Sequence, residues 1–203
     1  MTALEKGITR NGTGYSGKTW NILGQVYFPK AVTDSTFAFE TNSDPGQFVP
    51  VHIHPTQDEF ILVQDGMLDL KLDGLWVRAN AGDLVRLPRG IPHGYFNKSD
   101  QPARALFWVS PTQRLEALFN QLHNLTDVAE IVRISAEHEV NFLPPEANDW
   151  LGKRAPPNSK IALNIKLSLS INRGPVSIGR SDDTEVRRAS SRAHENQGWP
   201  LRL

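Results

Sequence analysis

Gly46-Gln47-Phe48-Val49-Pro50-Val51-His52-Ile53-His54-Pro55-Thr56-Gln57-Asp58-Glu59, with Gly66 seven residues further on, joins a strand-like run to two histidines and a carboxylate. A strand is expected over residues 48–54. In a strand, His52 and His54 project from one face about 7 Å apart along the chain, close enough to converge on one ion. Pro55 ends the strand, and the residues after it let Glu59 enter the adjacent strand and bring a carboxylate beside the pair. Phe48 shares the parity of the histidines and is a candidate to line whatever cavity they face.

A second segment, Gly82-Asp83-Leu84-Val85-Arg86-Leu87-Pro88-Arg89-Gly90-Ile91-Pro92-His93-Gly94-Tyr95-Phe96-Asn97, sets sharp turns on either side of a short strand. His93 follows one of them and can add a third imidazole, with Tyr95 on the same face as a second candidate lining residue. Three imidazoles and a carboxylate suit a borderline divalent first-row ion: iron foremost, then Mn, Ni, Cu, Co or Zn. Octahedral coordination would leave two positions open for solvent, substrate or dioxygen.

Around these segments, residues 20–109 alternate short apolar runs with turn signals, the pattern of an antiparallel sandwich or barrel. Strands are expected over 20–28, 35–39, 48–54, 59–63, 67–72, 75–78, 83–87, 93–97 and 103–109. Asp65-Gly66 and Asp73-Gly74 fall between such runs and predict two tight hairpin turns in a meander. Behind Pro111, Leu115, Leu118, Phe119 and Leu122 recur at helical spacing. A second amphipathic helix is expected over 126–138, capped by Thr126, with Val128, Ile131, Val132 and Ile134 apolar.

The two segments match the paired cupin motifs. G-x5-H-x-H-x4-E-x6-G is met at Gly46, His52, His54, Glu59 and Gly66, and G-x5-P-x-G-x2-H-x3-N at Gly82, Pro88, Gly90, His93 and Asn97. The chain thus resembles single-domain cupins. Its N-terminal stretch, its two helices and Phe142-Leu143-Pro144-Pro145 look like those of the quercetin 2,3-dioxygenase type. The resemblance implies an all-β jelly-roll barrel with a metal in its mouth, followed by two helices. The barrel resemblance covers roughly 20–110, and the expected division is an N-terminal arm (1–19), a barrel (20–110), a helical extension (111–146) and a basic Ser/Arg-rich tail (147–203) that departs from the family pattern.

That tail is a different material. Residues through 146 carry 12 basic and 17 acidic side chains, whereas the rest carry 10 and 5. Pro156-Pro157 and an Arg/Ser-rich stretch favour disorder. Strict alternation over 161–171 instead suits one long strand, added to or exchanged at an edge. Both possibilities stay open.

Overall the 22 basic and 22 acidic residues balance, leaving no positive field for nucleic acid or anionic lipid. There is no cysteine for disulfides, thiolate nucleophiles or Cys-rich zinc sites. The N-terminus lacks an apolar leader and no run approaches the roughly 18 apolar residues of a membrane span. A cytoplasmic protein with no membrane partner is expected. Gly12-Thr13-Gly14-Tyr15-Ser16-Gly17-Lys18-Thr19 fits the phosphate-loop pattern, but the strand-like residues behind it exclude the helix that such a loop requires.

Phe37, Phe39, Trp76, Phe107 and Trp108 are read as barrel packing, and Arg86 and Arg89 as either anion attractors or solvated surface. His123, His138 and His194 are left outside the site. The resemblance implies a metal-dependent oxidoreductase in which a phenolic, enolic or hydroxy-carbonyl substrate chelates the ion and reacts with dioxygen. For Glu59 it leaves three roles open: ligand, ligand that leaves during turnover, or catalytic base. The same ligand set in other cupins supports decarboxylation, isomerisation and hydrolysis. A non-catalytic small-molecule-binding barrel is the alternative from a different class, although nothing in residues 1–18 or the tail reads as the helix-turn-helix that regulatory cupins often carry. A homodimer is a further implication of the resemblance. Secondary metabolism would accommodate such an enzyme, though no residue demonstrates it.

Overall fold

A computed structural model describes residues 4–144 and 146–147. The expected strand over 161–171, the basic tail from 148 onward and His194 lie outside the described residues.

Two antiparallel sheets face one another. The strands are β1 (Trp20–Ile22), β2 (Gln25–Val32), β3 (Phe37–Ser43), β4 (Phe48–Ile53), β5 (Asp58–Asp65), β6 (Met67–Leu72), β7 (Leu75–Asn80), β8 (Leu84–Leu87), β9 (His93–Phe96), β10 (Ala103–Ser110) and β11 (Asn141–Phe142), with helices α1 (Leu115–Leu122) and α2 (Val128–Glu137) before the last. One sheet runs β1-β2-β3-β10-β5-β8 and the other β11-β4-β9-β6-β7. The fold is the all-β barrel that the alternating pattern predicts. β10 alternates buried and half-buried residues along its whole length, aiming Ala105, Phe107 and Val109 inward opposite Thr41, Phe39 and Phe37.

The first expected strand is two strands. Leu23 and Gly24, at φ 51° and 86°, turn the chain so that Ile22 faces Gln25. Only one of the two Asp-Gly pairs makes the predicted hairpin. Asp73 and Gly74 have φ 45° and 81° and join Leu72 to Leu75, as a type I′ turn requires. Asp65-Gly66 instead carries the chain from one sheet to the other, since β5 pairs with β10 and β8 while β6 pairs with β7 and β9. Gly66 has φ 69°, and a Cβ there would lie 2.7 Å from the Pro102 carbonyl, so the crossing requires glycine on both counts.

Helix α1 begins at Leu115, because Gln113 at φ 47° leaves helical geometry behind Pro111. Its Phe119 ring sits 5.0–5.5 Å from Trp20, Tyr27, Phe37 and Phe39, mostly edge to face, which seats the helix against the six-stranded sheet. Helix α2 is capped by Asp127 rather than Thr126: its carboxylate accepts from the Ala129 and Glu130 amides at 2.9 and 3.1 Å. It buries Val128, Ile131, Ile134 and Ser135. The chain then returns as β11, whose Phe142 pairs with His52.

The phosphate-loop look-alike has no helix to serve it. Tyr15–Gly17 is a single 3-10 turn, Lys18 pairs with Glu116 at 3.0 Å, and antiparallel β1 follows. No helix among the described residues is long and apolar enough to cross a membrane.

Candidate metal centre

Pro50 shapes the site. It has no amide to give the β4–β9 ladder, and the register there slips: Val49 faces Tyr95, yet His52 faces His93, so one strand has an extra residue. This bulge overturns the simple parity of residues 48–54. Val49 and His52, not Phe48, lie in register with the inward residues of β9, and Phe48 faces Phe96. The freed Pro50 carbonyl accepts a hydrogen bond from His52 Nδ1 at 2.8 Å. His54 stands just past the end of β4, where its carbonyl accepts the Gly90 amide at 2.9 Å and ties it to the loop that leads to His93.

Glu59 does not enter the strand adjacent to β4. It lies on β5 in the facing sheet, opposite Val109 and Leu87, and reaches across the barrel to histidines held by the other wall. All four residues are between 4% and 7% exposed. One donor atom from each lies within 4.8 Å of every other. His52 Nε2 is 3.2 Å from His54 Nε2, and Glu59 Oε2 is 2.8 Å from His93 Nε2 and 3.4 Å from His54 Nε2.

The partners of the outer nitrogens decide what these contacts mean. His52 Nδ1 donates to Pro50 O and His93 Nδ1 to Ile91 O, each at 2.8 Å. For His54 the partner is Gln57 Oε1 at 3.2 Å, and Gln57's own orientation is fixed because its Nε2 donates to the carbonyls of Pro111 and Thr112. With their outer nitrogens so paired, all three imidazoles would carry their proton on Nδ1 and turn the Nε2 lone pair to an ion bound between them. Two lone pairs at 3.2 Å repel unless a cation or proton lies between them. Donors at right angles on an ion with bonds of about 2.1 Å stand about 3.0 Å apart, so the group fits one divalent first-row ion. Gln57, 1% exposed, was not foreseen from the sequence; a polar residue three positions from a histidine in a motif loop was the available signal.

Burial, then repulsion from His93 and His54, holds the His52 pKa well below its ordinary value, keeping it neutral. Burial also disfavours charge on His93, but the hydrogen bond to Glu59 and that carboxylate's charge outweigh it and raise the pKa. Burial would raise Glu59, yet the hydrogen bonds from His54 and His93 hold it well below the usual range. In metal-free protein the protonated His93–Glu59 pair contributes stability that is full below about pH 6.5 and fades as pH rises through the raised His93 value. A metal must displace that proton. The metal-induced rise in melting temperature is therefore expected to be larger near pH 8 than near pH 6, apparent affinity changing about tenfold per pH unit below the His93 pKa. Thermal melts at fixed zinc check it, and an equal shift at both pH values would contradict the assignment.

From the donors a cavity of about 280 Å³ runs between the sheets and beneath both helices. Phe39 and Phe107, expected only to pack, stack at 5.3 Å and line it, because the core they fill is hollow on the donor side. Tyr95 also lines it, its hydroxyl accepting from Gln25 at 2.7 Å, and burial pushes its pKa up to about 12. Phe48 reaches the cavity half-buried, packed against Val128. Phe37 stays within the core, Trp108 stacks on Phe60, and Trp76 lies beneath Lys98, all outside the lining. Arg89 pairs with Asp58 at 2.8 Å instead of facing the cavity, and Arg86 is exposed on β8. His123 accepts from the Asn21 amide, and His138 bonds Ile134 O and Gln121.

A double-sheet antiparallel barrel whose interior gathers three imidazoles from one wall and a carboxylate from the other defines a cupin. Residues 39–109 match the family described as the cupin domain, and this stretch of the chain is a cupin domain. It is 34% identical over 67 residues to the polyketide synthase protein CurC of Streptomyces cyaneus, a match covering 33% of this chain and 44% of the relative. It is 44% identical over 50 residues to a quercetin 2,3-dioxygenase of Bacillus subtilis, covering 25% of this chain and 15% of the relative. The matched stretch spans less than half the length of either relative. Among solved structures, an RmlC-like cupin from Shewanella frigidimarina superimposes with a TM-score of 0.49 at 18% identity, covering 56% of this chain and 97% of that one.

Proposed function

We propose that the protein is a metal-dependent oxidoreductase of the dioxygenase kind, acting on an uncharged phenolic or enolic metabolite with two adjacent oxygens. The observation that carries this is the opening of the donor group directly into an apolar, aromatic-walled cavity that no lysine or arginine lines. His52, His54, Glu59 and His93 would hold one divalent ion, iron foremost. Bound there, such an ion supplies charge that lowers the pKa of a chelating hydroxyl and a meeting point for dioxygen.

The chain's own residues do the rest. Glu59, the one carboxylate that reaches the donor group, is the acceptor for the substrate's proton. Phe39, Phe107 and Phe119 flank a ring and exclude water from the reacting oxygens. A phosphate or carboxylate group lying away from the ion would lose its hydration and find no lysine or arginine in exchange, which disfavours sugar phosphates. The name of the quercetin-oxidising relative supports a ring-bearing substrate, quercetin being a polyphenol with adjacent oxygens.

The test is metal analysis of purified protein coupled to oxygen uptake with a panel of catechols, flavonols and β-diketones. About one metal per chain and uptake with at least one compound are expected, with Glu59→Ala slowing uptake by about 100-fold or more. Release of carbon dioxide without oxygen consumption would make the protein a decarboxylase, and binding without turnover a carrier or sensor.

A further inference from the structure

Among the described residues, the five-stranded sheet ends on a strand that is apolar on both faces. β7 begins Leu75-Trp76-Val77, and these side chains are 72%, 38% and 47% exposed. Leu75 and Val77 lie opposite Leu72 and Leu70 of β6, so they share the core-facing side of the sheet and carry that layer past the edge of the barrel. β8 ends the facing sheet, and its core-facing Val85, opposite Ile61, is only half-buried. An exposed apolar edge of this kind is a template for a further strand, and soluble proteins cover it. Of the four strands that end the two sheets, β7 at six residues is the longest; β1, β8 and β11 have three, four and two.

The chain itself holds a segment suited to that place. Ile161, Leu163, Ile165, Leu167, Leu169 and Ile171 alternate with Ala162, Asn164, Lys166, Ser168, Ser170 and Asn172, which gives a strand one aliphatic and one mostly polar face. β11 and β7 stand at opposite ends of the five-stranded sheet, about 20 Å apart at about 4.8 Å per strand. The 14 residues that lead from 147, just beyond β11, to 161 reach up to about 45 Å, ample for the crossing. Charge favours this occupant over a second copy of the barrel. Residues through 146 carry 12 basic and 17 acidic side chains, so two such bodies set edge to edge repel, whereas residues 148–173 carry five basic and one acidic. The turns at the two ends of β7 present exposed Asp73 and Asp83, and Arg78 on β7 is already engaged by Asp69 at 3.0 Å. A tether of this length also holds the segment at an effective concentration of about millimolar.

We propose that the edge of β7 is a docking surface for residues 161–171 of the same chain, which add to it as a further strand. The aliphatic face of the segment lies beside Leu75 and Val77 and continues the core layer, and its polar face, with Lys166, points to the opposite side of the sheet. The basic tail is thereby an integral part of the barrel, and this holds whatever the donor group binds.

A chain without cysteine suits disulfide mapping. In the full chain, Val77→Cys is combined in turn with Leu163→Cys, Ile165→Cys or Leu167→Cys, and in a second set with Asn164→Cys, Lys166→Cys or Ser168→Cys. Paired strands bring same-face Cβ atoms to about 5 Å, within disulfide reach, and turn the other set away. Under mild oxidation at least one pair of the first set is expected to close within one chain about tenfold faster than any pair of the second. Val26→Cys, at a site 40% exposed on β2 of the other sheet, should close no faster with the first set than with the second. Equal rates for the two sets at Val77, closure only between chains, or closure at Val26 as fast as at Val77 overturns the proposal. Hydrogen exchange gives a reading without cysteines. Full-length Ile165→Asp/Leu167→Asp protein should exchange the β7 amides about tenfold faster than wild type while β3 and β10 keep their rates, and unchanged exchange in β7 also overturns the proposal.

Discussion

Replacing His52 by alanine is expected to abolish stoichiometric metal binding, with affinity for a divalent ion falling by more than about 100-fold. The magnitude follows from two contacts. His52 Nε2 is 3.2 Å from His54 Nε2, and its ring lies 4.4 Å from that of His93, so its removal takes one wall from the cradle and leaves donors that do not surround an ion. Stability of the metal-free protein should change little by comparison, since the substitution also removes a lone-pair repulsion and a buried polar ring. Metal-to-protein ratio and metal-dependent melting temperature give the two readouts. A graded companion is Gln57→Leu, which keeps all four donors but strips His54 Nδ1 of its acceptor and should weaken binding about 10–100-fold. Full metal retention in His52→Ala would remove the basis for the proposed chemistry.

The second large effect is expected at a residue with no side chain. Gly94 lies on β9 between His93 and Tyr95, and a Cβ there would stand 2.8 Å from Val49 O, 2.9 Å from Val51 N and 3.0 Å from the Pro50 carbonyl carbon. Those are main-chain atoms of the bulged strand, which cannot rotate aside. Gly94→Ala should therefore cost about 3 kcal/mol or more, the upper end for overpacking, and push β4 away from β9. The separation acts directly on the pair His52 and His93, so metal affinity should fall together with the denaturation midpoint. Gly74→Ala is the control. Gly74 has φ 81° with open space around it, so alanine should cost about 1–2 kcal/mol of backbone strain and leave the metal site intact. Urea denaturation and metal titration of both variants distinguish the two outcomes; equal effects would mean that the close approach of β4 and β9 does not hold the site.

Much of this was legible in the residues. His52 and His54 at strand spacing, with Glu59 and His93 in their motif positions, are brought together by the fold within one ligand shell's width. Period-two burial in β5 and β10 and helical spacing in α1 were likewise visible as patterns. What failed depended on contacts remote in sequence. Asp65-Gly66 looked like a hairpin because turn chemistry reports local φ, and local φ does not say which sheet the next strand joins. For the same reason Glu59 was assigned to a neighbouring strand when it crosses from the facing sheet. Pro50 did carry a warning: a proline inside a strand points to an edge or a bulge, and the bulge moved Phe48 out of the parity assigned to it. Gln57 carried only a weak local signal, because its role is set by the two carbonyls, remote in sequence, that orient it.

The four candidate donors fall within residues 52–93, whereas α1 and α2, which roof the hollow, begin at residue 115. One wall of the chamber is thus encoded downstream of every candidate donor. Point change there can reshape the roof while the donor quartet is inherited untouched.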